Sequence, residues 1–125
     1  MSDTKQKHYS LNFNKVAITL DGEPMYELAP GTKGKTMNEL KESDYIELTL
    51  NKFLARQISN SSEDFGGKEF TWYGVLYKEG KLILDEVDTR VLYNFIKGRR
   101  KGDNPISNII VYQLFDIFKA AQFTE

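Results

Sequence analysis

The chain has 125 residues, the usual size of one domain, and its content of 40% hydrophobic and 28% charged residues is typical of a folded domain. It has no cysteine and a single histidine, His8, which excludes disulfides, thiolate catalysis and metal sites rich in cysteine or histidine. The formal net charge of −1 gives no overall attraction to nucleic acid or to anionic lipid.

Targeting signals are not evident in the sequence. There is no signal-peptide pattern, and no apolar run approaches the roughly 20 residues that a membrane helix needs. We therefore expect a cytoplasmic protein with no membrane partner, no cofactor and no metal.

The N-terminal region predicts a tail followed by a hairpin. Residues 1–9 are polar and are expected to form a flexible tail, which leaves residues 10–125 as a single domain. Val16, Ile18 and Leu20 alternate with Ala17 and Thr19, which predicts a strand that buries these three side chains. Asp21-Gly22 favours a tight turn into a return strand over residues 24–26.

The middle of the chain predicts two helices. Thr36 and Glu39 have the spacing of a capping box, which indicates a short helix that ends near Glu42. A second helix is indicated by apolar side chains on one face, with Asp44 or Thr49 as its cap. These side chains are Leu50, Phe53, Leu54 and Ile58.

Residues 69–78 allow two interpretations. Phe70, Tyr73, Leu76 and Tyr77 recur at helical spacing, so we predict a helix over these residues, although Gly74 weakens this prediction. The alternative is a strand, because residues 71–77 are rich in β-prone types and are followed by a turn-forming Glu79-Gly80. In both cases residues 81–84 are predicted to form a strand.

The last third of the chain predicts two capped helices, over residues 86–97 and 105–120. Asp85 is the expected cap of the first, and Gly98 its left-handed terminus. Asn104 and Pro105 are expected to open the second. The predicted buried residues are Val87, Val91, Leu92, Phe95 and Ile96, then Ile106, Ile109, Ile110, Leu114, Ile117 and Phe118.

These elements predict an α+β fold, in which a small antiparallel sheet is packed by three to four helices. The sheet would contain the N-terminal hairpin and the strand near residues 81–84.

Two features are candidate binding sites. Trp72, Tyr73 and Tyr77 could form an aromatic surface for a partner, or they could belong to the core. Lys97, Arg99, Arg100 and Lys101 form a basic turn. This turn could bind an acidic protein or phosphates, or simply end a helix in solvent.

Other motifs argue against catalysis. Asp85, Glu86 and Asp88 are explained by their position at a helix N-terminus, and their spacing suits no metal site. Gly31 and Gly34 enclose two residues, whereas a phosphate-binding loop needs four. We therefore predict no catalytic residues.

The C-terminal half also carries a resemblance. The run WYGVLYKEGKLILDEVDTRVLYNFI, followed by NPI and IIVYQLFDIF, resembles small, mostly uncharacterised proteins of tailed bacteriophages. The matching positions are Asp21, Gly22, Pro24, Thr49, residues 82–84, residues 85–88, Pro105 and Gln113. The chain departs from that pattern by a longer loop between Tyr26 and Tyr45. The resemblance implies a phage origin, and hence a host-cytoplasmic location, and an α+β domain. It supplies no catalytic residues.

The expected function is non-enzymatic. We predict that the protein binds and modulates or inhibits a host or viral protein, which is expected to be acidic if the basic turn takes part. Two alternatives stay open: nucleic-acid binding through residues 97–101, and a virion structural or assembly subunit that associates with copies of itself.

Overall fold

The structure, a computed structural model, describes residues 7–29, 31–32, 34–61, 63–100 and 106–124. Within these ranges the chain forms four α-helices and two antiparallel two-stranded sheets, which confirms the predicted α+β class. The strands are β1 His8–Asn12, β2 Tyr26–Leu28, β3 Tyr45–Glu47 and β4 Lys81–Asp85. The helices are α1 Leu50–Ser59, α2 Lys68–Lys78, α3 Glu86–Gly98 and α4 Asn108–Ala120.

The first sheet pairs β1 with β4, with His8 opposite Asp85 and Asn12 opposite Lys81. Alternate residues point to opposite faces of a strand, so one face of this sheet is buried against the helices. That face carries Tyr9, Leu11, Leu82 and Leu84. The tail predicted over residues 1–9 is therefore wrong for His8 and Tyr9, which belong to a strand.

The predicted hairpin is only partly present. Its turn forms, with Gly22 at a φ of 85° and its amide donating to the Thr19 carbonyl at 2.9 Å. The flanking residues make isolated bridges, of which one joins Ile18 to Pro24, and no strand forms over residues 16–20. The predicted buried face is also wrong: Ala17 is fully buried, whereas Leu20 is 87% exposed. The hairpin does not join the sheet of β4.

The side chain of Gln113 explains this arrangement. Its Oε1 accepts the Ile18 amide at 2.8 Å, and its Nε2 donates to the Ile18 carbonyl at 2.8 Å. The amide of Gln113 thus satisfies both backbone groups of Ile18 and ties the turn to α4. These two hydrogen bonds replace those that a neighbouring strand would make to Ile18.

Replacement of Gln113 by alanine is expected to lower the free energy of unfolding by about 1–2 kcal/mol, because both hydrogen bonds to Ile18 are lost. Urea unfolding measures this change. Lys119→Ala, at an exposed position of the same helix, is the control and should change stability little. Equal stability of the two variants would contradict this role.

The second sheet pairs β2 with β3, with Tyr26 opposite Glu47 and Leu28 opposite Tyr45. It is attached to α1 by an ion pair in which Arg56 Nη2 lies 2.7 Å from Glu27 Oε1. The return strand of the predicted hairpin thus shifts to residues 26–28 and belongs to a different sheet.

Between β2 and β3, the helix predicted after Thr36 is replaced by two 3-10 turns, Met37–Glu39 and Glu42–Asp44. Thr36 donates its hydroxyl to the Glu39 carboxylate at 3.1 Å and caps no amide. The Asp44 carboxylate accepts the Lys41 amide at 2.8 Å and the Lys35 ammonium at 3.2 Å. The pKa of Asp44 lies below its usual value, mainly because of the hydrogen bond from the Lys41 amide and also because of the Lys35 ammonium. Asp44 thus belongs to this turn, and Thr49 occupies the N-cap position of α1.

The two C-terminal helices lie where they were predicted, but some of their boundaries differ. The Asp85 carboxylate accepts the Asp88 amide at 2.8 Å, which confirms the predicted cap. Gly98 is the last residue of α3 and has no left-handed conformation, so that prediction is wrong. Helix α4 begins at Asn108 and not at residue 105, while Asn104 and Pro105 lie outside the described residues.

Buried apolar side chains of strands β1 and β4 and of all four helices form the core. Of the side chains predicted to be buried in α3, Val87 and Val91 are exposed, and the fully buried Thr89 takes part instead. The Thr89 hydroxyl donates to the Asp85 carbonyl at 2.6 Å, which satisfies it inside the core. The largest fully buried side chains are Leu11, Phe13, Leu54, Leu76, Leu92, Ile96, Leu114 and Phe118.

Candidate functional site

The predicted aromatic site lies on α2, and the helix prediction for this segment is confirmed. Trp72, however, is only 4% exposed and packs against Phe65, with their ring centroids 5.5 Å apart. Trp72 and Leu76, four residues apart, are the two buried side chains of this helix. The prediction that Trp72 contacts a partner is therefore wrong, because this side chain fills the core.

Another face of α2 carries the exposed aromatic side chains. Phe70 is 81% exposed, Tyr73 37% and Tyr77 44%. The rings of Tyr73 and Tyr77 are stacked, with centroids 5.7 Å apart and planes at 16°. We call Phe70, Tyr73 and Tyr77 the aromatic ridge. Tyr73 and Tyr77 were predicted site residues, whereas Phe70 was not.

The ridge borders a depression between the end of α1 and the start of α2, which we call the α1–α2 groove. Its volume is about 300 Å³. Apolar contact is offered by Ile58, Phe70 and Tyr73. The polar lining includes Ser59, Ser61, Glu63 and Glu69. The groove therefore combines aromatic walls with carboxylates.

The basic turn does not act as one surface. The Arg99 guanidinium donates to Gln57 Oε1 at 2.9 Å and lies over the Phe95 ring, 5.9 Å from its centroid. Arg99 thus connects α3 to α1 and is not fully available to a ligand. Lys101 lies outside the described residues.

Arg100 and Lys97 are exposed on a different side of the turn. The Arg100 guanidinium lies 5.4 Å from the centroid of the Tyr112 ring and donates to its hydroxyl at 3.4 Å. Both cations line an open depression of about 640 Å³, together with Asn94 and Asn108. This basic depression has the donors that an anionic group would require.

The ridge and the basic turn both contact the last turn of α1. Gln57 accepts the hydrogen bond from Arg99, and the next two residues, Ile58 and Ser59, line the α1–α2 groove.

The acidic residues before and within α3 have structural partners. Asp88 pairs with Lys68, whose Nζ lies 2.6 Å from Oδ1, and this hydrogen bond raises the pKa of Lys68. Glu86 lies 3.6 Å from Arg90 in the same helix. Across the described residues, no three acidic or histidine side chains form a group that could hold a metal ion.

Comparison with known proteins identified no relative: no protein-family model, curated protein or solved structure matches the chain. Among the helices of the described residues, none has both the length and the apolar character to span a membrane.

Proposed function

We propose that this chain is a non-enzymatic binding domain whose partner is a protein that docks on the aromatic ridge. The observation that carries this proposal is the exposure of Phe70, which places a large apolar ring in water beside two stacked tyrosines. Burial of such a ring against a partner contributes about 1.5–3 kcal/mol. Aromatic side chains of this kind supply most of the binding energy in many protein interfaces.

The cations of the basic turn give this proposal a second component. Lys97 and Arg100 are exposed, and Arg99 is held beside the last turn of α1. An acidic surface on the partner would be steered towards these cations during association. We propose that the partner is a host or viral protein that the chain modulates or inhibits. A bacteriophage origin and a place in the host cytoplasm are parts of the same proposal.

The experiment that tests this function compares affinity purifications from the source cells. The wild-type chain is expected to retain a specific protein that the double variant Phe70→Ala, Tyr73→Ala does not retain. With the purified partner, Phe70→Ala alone should weaken binding at least about tenfold, since a buried aromatic anchor contributes about 2 kcal/mol or more.

Leu20→Ala is the matched control, because Leu20 is as exposed as Phe70 but lies in the hairpin turn. It should bind like the wild type. Retention of the same proteins by the double variant would reject the ridge as the docking site. Light scattering over a range of concentrations separates a heterologous partner from self-association, which a virion subunit would show.

A second candidate function is nucleic-acid binding, favoured by the basic depression beside Tyr112. Lys97 and Arg100 would contact phosphates there. A gel-shift series tests it, because affinity from phosphate contacts falls steeply as salt rises. Absence of a shift at low salt, or a shift unchanged by Arg100→Glu, would reject this candidate.

A further inference from the structure

We infer that two copies of this chain associate through strand β4, which pairs with β4 of the second copy in antiparallel orientation about a two-fold axis at Ile83. The β1–β4 sheets of the two copies then form one four-stranded sheet. This inference goes beyond the proposed function and does not depend on it, because β4 contains no residue of the aromatic ridge.

The first observation is the free edge of β4. In the described part of the chain β4 pairs with β1 alone. The Phe13 amide donates to the Gly80 carbonyl at 2.7 Å and continues this ladder, so these two residues are a hydrogen-bonded pair. Such pairs alternate in an antiparallel ladder, and the backbone groups of Lys81, Ile83 and Asp85 therefore face away from β1. Among the described residues no backbone group bonds to those of Lys81 or Ile83.

The second observation is the apolar centre of this edge. Lys81, Ile83 and Asp85 alternate with the buried Leu82 and Leu84, so they lie on the face of β4 that is turned away from the core. Ile83 is 66% exposed. Edge strands that stay unpaired are usually protected by charges, proline or bulges, whereas here an isoleucine occupies the middle position. Pairing about Ile83 removes its side chain from water against the same side chain of the second copy.

The third observation is that the sequence of residues 81–85, KLILD, is complementary to itself. In antiparallel pairing centred on Ile83, Lys81 of each copy lies opposite Asp85 of the other. Within one chain these two residues are about 13 Å apart along the strand, too far for an ion pair. The ion pairs of the described residues include neither of them. Because opposite charges at facing positions stabilise strand pairing, a second copy supplies a partner for both charges at once.

The outer edge of β1 does not have this complementarity. Its outward positions are His8, Ser10 and Asn12, and pairing about Ser10 would bring together no apolar side chains and no opposite charges. Pairing through β4 uses the same surface on both copies, and such an interface closes at two copies. A dimer is thus expected whether or not the chain belongs to a virion.

Disulfide cross-linking of the full chain tests the register. The chain has no cysteine, so a single introduced cysteine reports the contact directly. Ile83→Cys is expected to form a linked dimer on mild oxidation, because facing Cα atoms of a hydrogen-bonded pair lie about 5.5 Å apart, within the range of a disulfide.

Ser10→Cys is the matched control, because Ser10 lies opposite Ile83 on β1 and is also exposed. In the four-stranded sheet the two copies of Ser10 are separated by three strand spacings, roughly 14 Å, so this variant should stay unlinked. Cross-linking of Ile83→Cys that is no faster than that of Ser10→Cys would overturn the inference.

Sedimentation equilibrium measures the association itself. Between about 10 μM and about 1 mM the wild-type chain is expected to show a monomer–dimer equilibrium, since an interface this small gives a weak complex. Lys81→Glu places like charges opposite each other at two symmetric positions and should weaken the dimer at least about fivefold, or about 1 kcal/mol. Lys119→Glu makes the same change of charge at an exposed position of α4 and should leave the dimer unchanged.

The remaining outcomes separate this inference from the proposed function. Phe70→Ala is expected to dimerise like the wild type. If it does not, self-association occurs on the ridge, which would overturn both the pairing of β4 and the heterologous partner. A wild-type chain that stays monomeric at the highest concentration would overturn the pairing of β4 alone.

Discussion

Replacement of Trp72 by alanine is expected to lower the free energy of unfolding by about 3–5 kcal/mol, the usual effect of removing a large aromatic side chain from a core. Trp72 is 4% exposed and contacts Phe65, whose ring also packs against Phe95 with centroids 5.3 Å apart. The substitution therefore leaves a cavity between α2 and Phe65. Denaturant unfolding followed by circular dichroism measures the change.

Phe70→Ala is the matched control for Trp72→Ala, because both replace an aromatic side chain of the same helix. Phe70 is exposed, so its removal should change stability by no more than about 0.5 kcal/mol. Trp72→Ala should thus lower stability, whereas Phe70→Ala should weaken binding and leave stability nearly unchanged. A Trp72→Ala variant as stable as Phe70→Ala would mean that the buried face of α2 is assigned incorrectly.

Replacement of Gly80 by alanine is expected to lower the free energy of unfolding by about 2–5 kcal/mol. Gly80 joins α2 to β4 at a φ of 77°, a conformation that disfavours every side chain. A Cβ atom there would also lie 2.7 Å from the Cβ of Asn14 and 3.1 Å from its Cα. The junction would therefore have to move. The hydrogen bond from the Phe13 amide to the Gly80 carbonyl, 2.7 Å long, opposes that movement. Thermal and urea unfolding both report this effect.

Replacement of Gly74 by alanine, in the same segment, is expected to raise the free energy of unfolding. Gly74 lies inside α2, and a Cβ atom there would meet nothing within 4 Å. Alanine has the higher helix propensity, so this variant should be more stable by about 0.5–1 kcal/mol. If the two glycine variants changed stability in the same direction, the backbone assigned to residues 74–80 would be wrong.

Sequence reasoning located most of the helices because their apolar residues repeat at helical spacing. This was sufficient for α1 and for the interior of α3 and α4, and the Asp85 cap was readable from residue type alone. It failed for β1, since the five residues of that strand place only Tyr9 and Leu11 on the buried face. So short an alternation cannot be separated from a polar terminal segment before its partner strand is known.

The candidate site was predicted only in part for a related reason. Helix α2 has aromatic or apolar residues on several faces, so spacing alone permits either Trp72 and Leu76 or Phe70, Tyr73 and Tyr77 to face inwards. The choice depends on which face meets α1 and β4. The basic turn was identified from composition, but the separation of Arg99 from Arg100 depends on Gln57 and Tyr112, which are distant in sequence.

The sequence by itself determined the fold class, the approximate positions of the four α-helices and the capping of α3, because these depend on interactions between residues that are close along the chain. Only the tertiary structure decided the pairing of β1 with β4, the burial of Trp72 and the exposure of Phe70. Those features depend on contacts between distant segments, in which the side chains that fill the core best are buried and their competitors remain on the surface.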